Sequence, residues 1–142
     1  MTDNFYNEFL LDHNLHPQHL HDLPCATCSH AGLNPSCGDE ITLHLQVENN
    51  IVQSGSFTGV GCAISQASAD IMIDLIIGRP KEDALHLADL FKKMIAGEIT
   101  DDELDELEEA GALQNISKMP ARVKCAVLAW KTLELLLHET AD

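Results

Sequence analysis

The chain has 142 residues, 45% of them apolar and 22% charged, with a formal net charge of −15. That length suits one domain with a real core, and no apolar run approaches the roughly 18 residues that first suggest a membrane span. So acidic a surface repels phosphate backbones, which excludes nucleic acid as the expected partner; the polar start Met1-Thr2-Asp3-Asn4 does not read as a secretory leader, so the cytoplasm is the expected compartment.

Residues 4 to 16 open with helical spacing, Phe5, Phe9 and Leu10 on one side, and His16-Pro17 should end the helix. Residues 17 to 36 carry Pro17, Pro24, Gly32 and Pro35 among few apolar residues and read as a loop. Between 40 and 47 the pattern alternates strictly, with Ile41, Leu43, Leu45 and Val47 on one face and Thr42, His44 and Gln46 on the other: a half-buried strand. Glu48-Asn49-Asn50 is a turn signal, and Ile51 to Phe57 is a second strand, which together predict a hairpin. Two strands make a marginal sheet, so a third has to come from the N-terminal segment or the loop.

After Gly61 the period changes to that of a helix, through Ile64, Ala67, Ile71 and Leu75, with Gly78 as the stop and Pro80 beyond it. A second helix is expected from about Pro80 to Ile95, its stripe formed by Leu87, Phe91, Met94 and Ile95, with Gly97 closing it. Thr100-Asp101-Asp102-Glu103 is a capping-box pattern that opens a short acidic helix anchored by Leu104 and Leu107 and ended by Gly111. Eight of the 23 acidic residues lie between Glu98 and Glu109, so this stretch reads as an exposed excursion rather than core. The last helix is expected from about Ala121 to His138, burying Val127, Trp130, Leu133, Leu136 and Leu137. The expected fold is α+β: a small antiparallel sheet packed against a helical layer.

The chemistry lies in the cysteines. Five of them, Cys25, Cys28, Cys37, Cys62 and Cys125, are an odd count. In a reducing compartment metal or catalytic roles outrank disulfides. Three sit in separate signatures: Asn34-Pro35-Ser36-Cys37-Gly38-Asp39, Gly59-Val60-Gly61-Cys62-Ala63-Ile64-Ser65 and Pro120-Ala121-Arg122-Val123-Lys124-Cys125-Ala126. With Asp39 they supply four donors of the types zinc takes, and zinc is usually four-coordinate. Cys62 follows a Gly-x-Gly bend at a helix start, and Cys125 lies near the first turn of the last helix, where backbone N–H groups and the helix dipole favour a thiolate. Each is also, taken singly, an ordinary small buried side chain. Gly38 permits a bend that aims Cys37 and Asp39 at one ion, and an extended backbone would put them on one face in any case; a capping role is the plain alternative for Asp39. Arg122, one helical turn before Cys125, is placed to neutralise a thiolate or persulfide, or simply to be solvated. Cys25-Ala26-Thr27-Cys28, with His30 nearby, is a C-x-x-C without the strand-and-helix setting of a thioredoxin site. His16, His19 and His21 lie on polar stretches and read as solvated.

In combination and in this order, NPSCGD, GVGCAISQASA and PARVKCAVLAW resemble the U-type iron–sulfur cluster assembly family, with its IscU, NifU N-terminal and SufU branches, from about Phe5 to Leu137. The stretch from about 98 to 117 resembles the acidic insertion of the SufU branch, and Lys124 stands beside Cys125 where IscU-like proteins carry a histidine, so one cluster ligand is missing. The resemblance implies one U-type domain over residues 1–142 and a zinc site of Cys37, Asp39, Cys62 and Cys125. It implies a sulfurtransferase that takes persulfide sulfur from a PLP-dependent, SufS-type cysteine desulfurase onto Cys37, for downstream Fe–S assembly proteins. In that scheme Cys37 leaves the zinc, a desulfurase group takes its place, and the freed thiolate attacks the persulfide, with Arg122 balancing charge. The acidic stretch would meet a basic desulfurase surface. The rival reading is a scaffold that holds a nascent [2Fe–2S] or [4Fe–4S] cluster on largely the same residues. A purely structural zinc module and a thiol–disulfide oxidoreductase working through Cys25 and Cys28 rank below both.

Overall fold

A computed structural model describes residues 17–34 and 38–139; the helix expected over 4 to 16 lies outside the described residues. Three strands form one antiparallel sheet in the order β1 (Cys28–Asn34), β2 (Asp39–Glu48), β3 (Ile51–Val60). The alternation in β2 is as read: Ile41, Leu43, Leu45 and Val47 are buried, and the residues between them face outward. Asn49 and Asn50 both adopt left-handed φ, 55° and 65°, between the paired residues Glu48 and Ile51. That is the two-residue turn whose twist matches a hairpin, and asparagine tolerates it better than most residues.

The third strand comes from the segment expected to be a loop. β1 is poor in β-branched residues and contains Gly32, so its own sequence signals no strand. Its place is set by partners. β2 pairs with it from Cys28–Leu45 to Asn34–Asp39, and the C-terminal helix lies so close that a Cβ on Gly32 would run into the Thr132 hydroxyl. Glycine here marks a backbone approached by another element.

The helical layer follows: α1 (Ala63–Ile76), α2 (Lys81–Ile95), α3 (Asp101–Glu106), a 3₁₀ helix over Glu108–Lys118, and α4 (Pro120–Glu139). Thr100 and Glu103 form the capping box anticipated for α3. Two expectations are revised. The acidic stretch does not stand off the core: Leu107, Ala110, Leu113 and Ile116 are fully buried, while its carboxylates face outward. A 3₁₀ run has three residues per turn, so positions 107, 110, 113 and 116 form a single inward row. Gly111 lies inside this run rather than ending a helix. α4 starts at Pro120, one residue before the expected start, with Cys125 just past its first turn.

The inner face of the sheet and the inward faces of α1, α2 and α4 share one hydrophobic core with the 3₁₀ segment. Trp130 of α4 fastens it. Its ring stacks on Phe91 of α2 with centroids 4.3 Å apart. Its Nε1–H donates to Ser68 Oγ of α1 (3.0 Å), and Ser68 donates in turn to the Ala126 carbonyl (2.7 Å). A buried indole N–H needs such a partner. The link holds α1 against α4 within the core.

Candidate metal centre

Three of the four donors anticipated from sequence come together at one end of the sheet. Asp39 is the first residue of β2, Cys62 is the N-cap of α1, and Cys125 lies in α4. One donor atom from each lies within 4.8 Å of the others. Cys37 lies outside the described residues; Gly38, between it and Asp39, has φ +72°, so the chain bends there as the motif suggested.

Each donor is held by the local chain. Asp39 is buried, and its Oδ1 accepts the N–H of Cys62 at 2.9 Å, so it caps the entry to α1 through the backbone of the next donor. In the Gly-x-Gly motif Gly59 has φ +114° and a Cβ there would run into the Glu40 carbonyl, so the first position excludes a side chain, while a Cβ on Gly61 would sit tightly, 3.1 Å from the Ser65 Cβ. Cys62 Sγ accepts the N–H of Ser65 at 3.5 Å, an N-cap bond made by sulfur. Cys125 is fully buried, and its sulfur accepts from Asn34 Nδ2 of β1 at 3.8 Å.

These contacts act on the acidity of Cys62. Burial pushes the Cys62 thiol up and the Asp39 carboxylate adds to that, but donation from the Ser65 hydroxyl, the Ser65 N–H and the Cys125 thiol outweighs both and leaves Cys62 below its ordinary pKa. Thiolate is the form that binds metal. One carboxylate and two sulfurs on three different elements, with Asp39 and Cys125 buried and Cys62 half-buried, suit zinc; the residues present fit that ion. Arg122 is half-buried one helical turn before Cys125, and Lys124 is exposed.

Sequence reading missed the residues that support the donors. Asn34 was part of the first motif and Ser65 of the second, yet neither is itself a metal ligand by type, and only the fold shows what they touch. The C-x-x-C pair ends on the first residue of β1, and its two thiols face different sides of the sheet. Cys28 packs against the core opposite Leu45. Cys25 is exposed on the other face, 3.5 Å from Gln46 Oε1 and 4.0 Å from Ser54 Oγ. Thiols on opposite faces of a sheet do not form a joint redox or metal site.

A sheet of three antiparallel strands under a helical layer, with an Asp-Cys-Cys group at its end, defines a small α+β domain with a sulfur-rich centre. The NifU-like N terminal domain model matches residues 5–136, and the chain belongs to that family. It is 43% identical over 134 residues to the iron-sulfur cluster assembly scaffold protein IscU of Thermotoga maritima, spanning 94% of this chain and 93% of that one. It is 40% identical over 135 residues to the zinc-dependent sulfurtransferase SufU of Bacillus subtilis, spanning 93% and 88%. The crystal structure of FiSufU from Fervidobacterium islandicum AW-1 superposes with a TM-score of 0.88 at 36% identity, over 94% of this chain and 96% of that one. The N-terminal part of a NifU-like protein from Brucella abortus shares the fold, with a TM-score of 0.85 at 18% identity.

Proposed function

We propose that this chain serves iron–sulfur cluster assembly as a zinc-dependent sulfur acceptor, receiving persulfide sulfur on Cys37 from a SufS-type cysteine desulfurase. The observation that carries the reading is the convergence of Asp39, Cys62 and Cys125 within 4.8 Å, with no histidine in the group among the described residues. Cys37, two residues from Asp39, is the fourth donor in the proposed set.

Zinc bound there would keep its cysteine ligands deprotonated at neutral pH and shielded from oxidation. The chain's own residues do the rest. Hydrogen bonds from Ser65 lower the pKa of Cys62, Asp39 supplies a carboxylate already tied to the backbone, and Asn34 holds the sulfur of Cys125 in place. Arg122 offsets negative charge as sulfur arrives. In the transfer the Cys37 thiolate attacks the terminal sulfur of the donor persulfide. The donor's S–S bond breaks, a new S–S bond forms on Cys37, and the donor cysteine leaves as thiolate. No electrons are gained or lost overall, so no outside oxidant is required. Downstream assembly proteins would receive the sulfur.

The second reading, a scaffold on which a cluster is built as cargo, has relatives of comparable similarity behind it: proteins named as IscU scaffolds match as well as the one named a sulfurtransferase. One experiment separates them. The protein is purified anaerobically, its metal and acid-labile sulfide are measured, and desulfurase turnover is assayed with and without it. Zinc without sulfide, and stimulation lost in Cys37→Ala, is the expected result. Iron with matching sulfide that passes to an apo-protein would overturn sulfur acceptance in favour of the scaffold.

A further inference from the structure

Ser65 joins two of the donors. It lies in the first turn of α1 and is 1% exposed. Its hydroxyl donates to Asp39 Oδ2 at 2.7 Å and stands 3.4 Å from Cys62 Sγ, while its N–H donates to the same sulfur at 3.5 Å. The other carboxylate oxygen takes the Cys62 N–H at 2.9 Å. These contacts close a ring that runs from carboxylate to serine to sulfur and back through the Cys62 backbone. A hydroxyl carries one proton, and here that proton lies between two groups that are both negative in their metal-binding forms. The shorter contact, to the carboxylate, takes the larger share of it. Without Ser65 the Asp39 carboxylate would keep one tether, the Cys62 N–H, and would be free to turn about its terminal torsion, which is broad.

Ser68, one turn further along α1, supplies the contrast. It is equally buried, but its hydroxyl is committed to the Ala126 carbonyl and the Trp130 indole, so it serves packing.

We propose that Ser65 is a positioning residue that acts through Asp39, fixing the carboxylate plane against Cys62 so that the two meet a divalent cation as one preformed unit. The inference rests on the metal-site reading above. Groups that orient metal ligands typically cost roughly 10–100-fold in affinity when removed, and that is the effect expected of Ser65→Ala.

The test is a double-mutant cycle read as zinc affinity, by competition with a chromophoric chelator, in wild type, Ser65→Ala, Asp39→Ala and the double variant. The melting temperature of each metal-free protein serves as the folding control. If Ser65 acts through Asp39, its removal costs roughly 10–100-fold in the wild-type background. In the Asp39→Ala background it costs no more than about twofold, the margin within which independent effects add. Ser68→Ala should lower the melting temperature and leave zinc affinity unchanged. The proposal is overturned if Ser65→Ala binds zinc as tightly as wild type, or if it costs the same factor in both backgrounds. If Asp39→Ala itself leaves affinity unchanged, the metal-site reading fails with it; if Asp39→Ala weakens binding and Ser65→Ala does not, only the role of Ser65 is lost.

Discussion

The donors were legible as residue types because zinc draws on a short list of side chains and three of them stand in distinctive local signatures. Their supports were not. Ser65 reads in sequence as one small polar residue among several in Ser65-Gln66-Ala67-Ser68, and nothing in that string says that the first hydroxyl faces a carboxylate and the second a tryptophan. Side chains of one type, one helical turn apart, acquire different work from what the rest of the fold brings to them. Arg122 is the residue whose role is most open to measurement. Half-buried one helical turn before Cys125, it is expected to lower the barrier for an anionic persulfide to approach rather than to hold the fold. Arg122→Ala should therefore slow sulfur transfer by roughly tenfold, equivalent to about 1.4 kcal/mol, with melting temperature and zinc content preserved. Stopped-flow transfer from a persulfidated desulfurase measures this, and equal rates would return Arg122 to the solvated surface.

Among the elements, those with a strong internal period were readable to within a residue or two: β2, α1, α2 and α4 announce themselves through alternation or a 3.6-residue stripe. β1 and the 3₁₀ segment were not, because each takes its form from its neighbours. The strand is held by pairing to β2 and by close contact with α4 at Gly32; the 3₁₀ run has a three-residue period that neither helix nor strand templates detect. The hairpin turn gives a sharp test. Asn50 sits at φ 65°, and its amide donates to both oxygens of Glu82 at 2.8 Å. Alanine in the left-handed region costs roughly 1–2 kcal/mol, so Asn50→Ala should lower the urea midpoint with an unchanged slope, and Asn50→Gly should lower it less. The Asn50 amide, chiefly, holds the Glu82 carboxyl below its usual range. A depressed carboxylate stabilises the fold above its unfolded pKa and loses that contribution as pH falls through the folded value. The gap between wild type and Asn50→Ala should accordingly narrow in acid, below the ordinary value of 4.5.

At the scale of the whole molecule, the stretch richest in negative charge is also part of the core. Charge density pointed to an exposed excursion, but charge describes only the outer side of a segment, and Leu107, Ala110, Leu113 and Ile116 lie on its inner side. Leu113→Ala should cost about 2–5 kcal/mol, as for other fully buried leucines, visible as a large drop in melting temperature; a surface excursion would give almost none. Outward carboxylates on an inward-packed segment form an acidic surface anchored to the core, which would suit a basic partner better than a floating loop. Among the described residues no helix is long and apolar enough to cross a membrane.

The contact between Asn34 and Cys125 joins residues 91 positions apart. Closing so long a loop has an entropy cost that must be met before the contact returns anything. The hairpin and the individual helices can form locally beforehand, with the sulfurs still scattered and each able to capture metal or oxidant alone. Three donors within 4.8 Å are therefore a sign that folding has finished, and a chain that has not finished is, chemically, a handful of unguarded thiols.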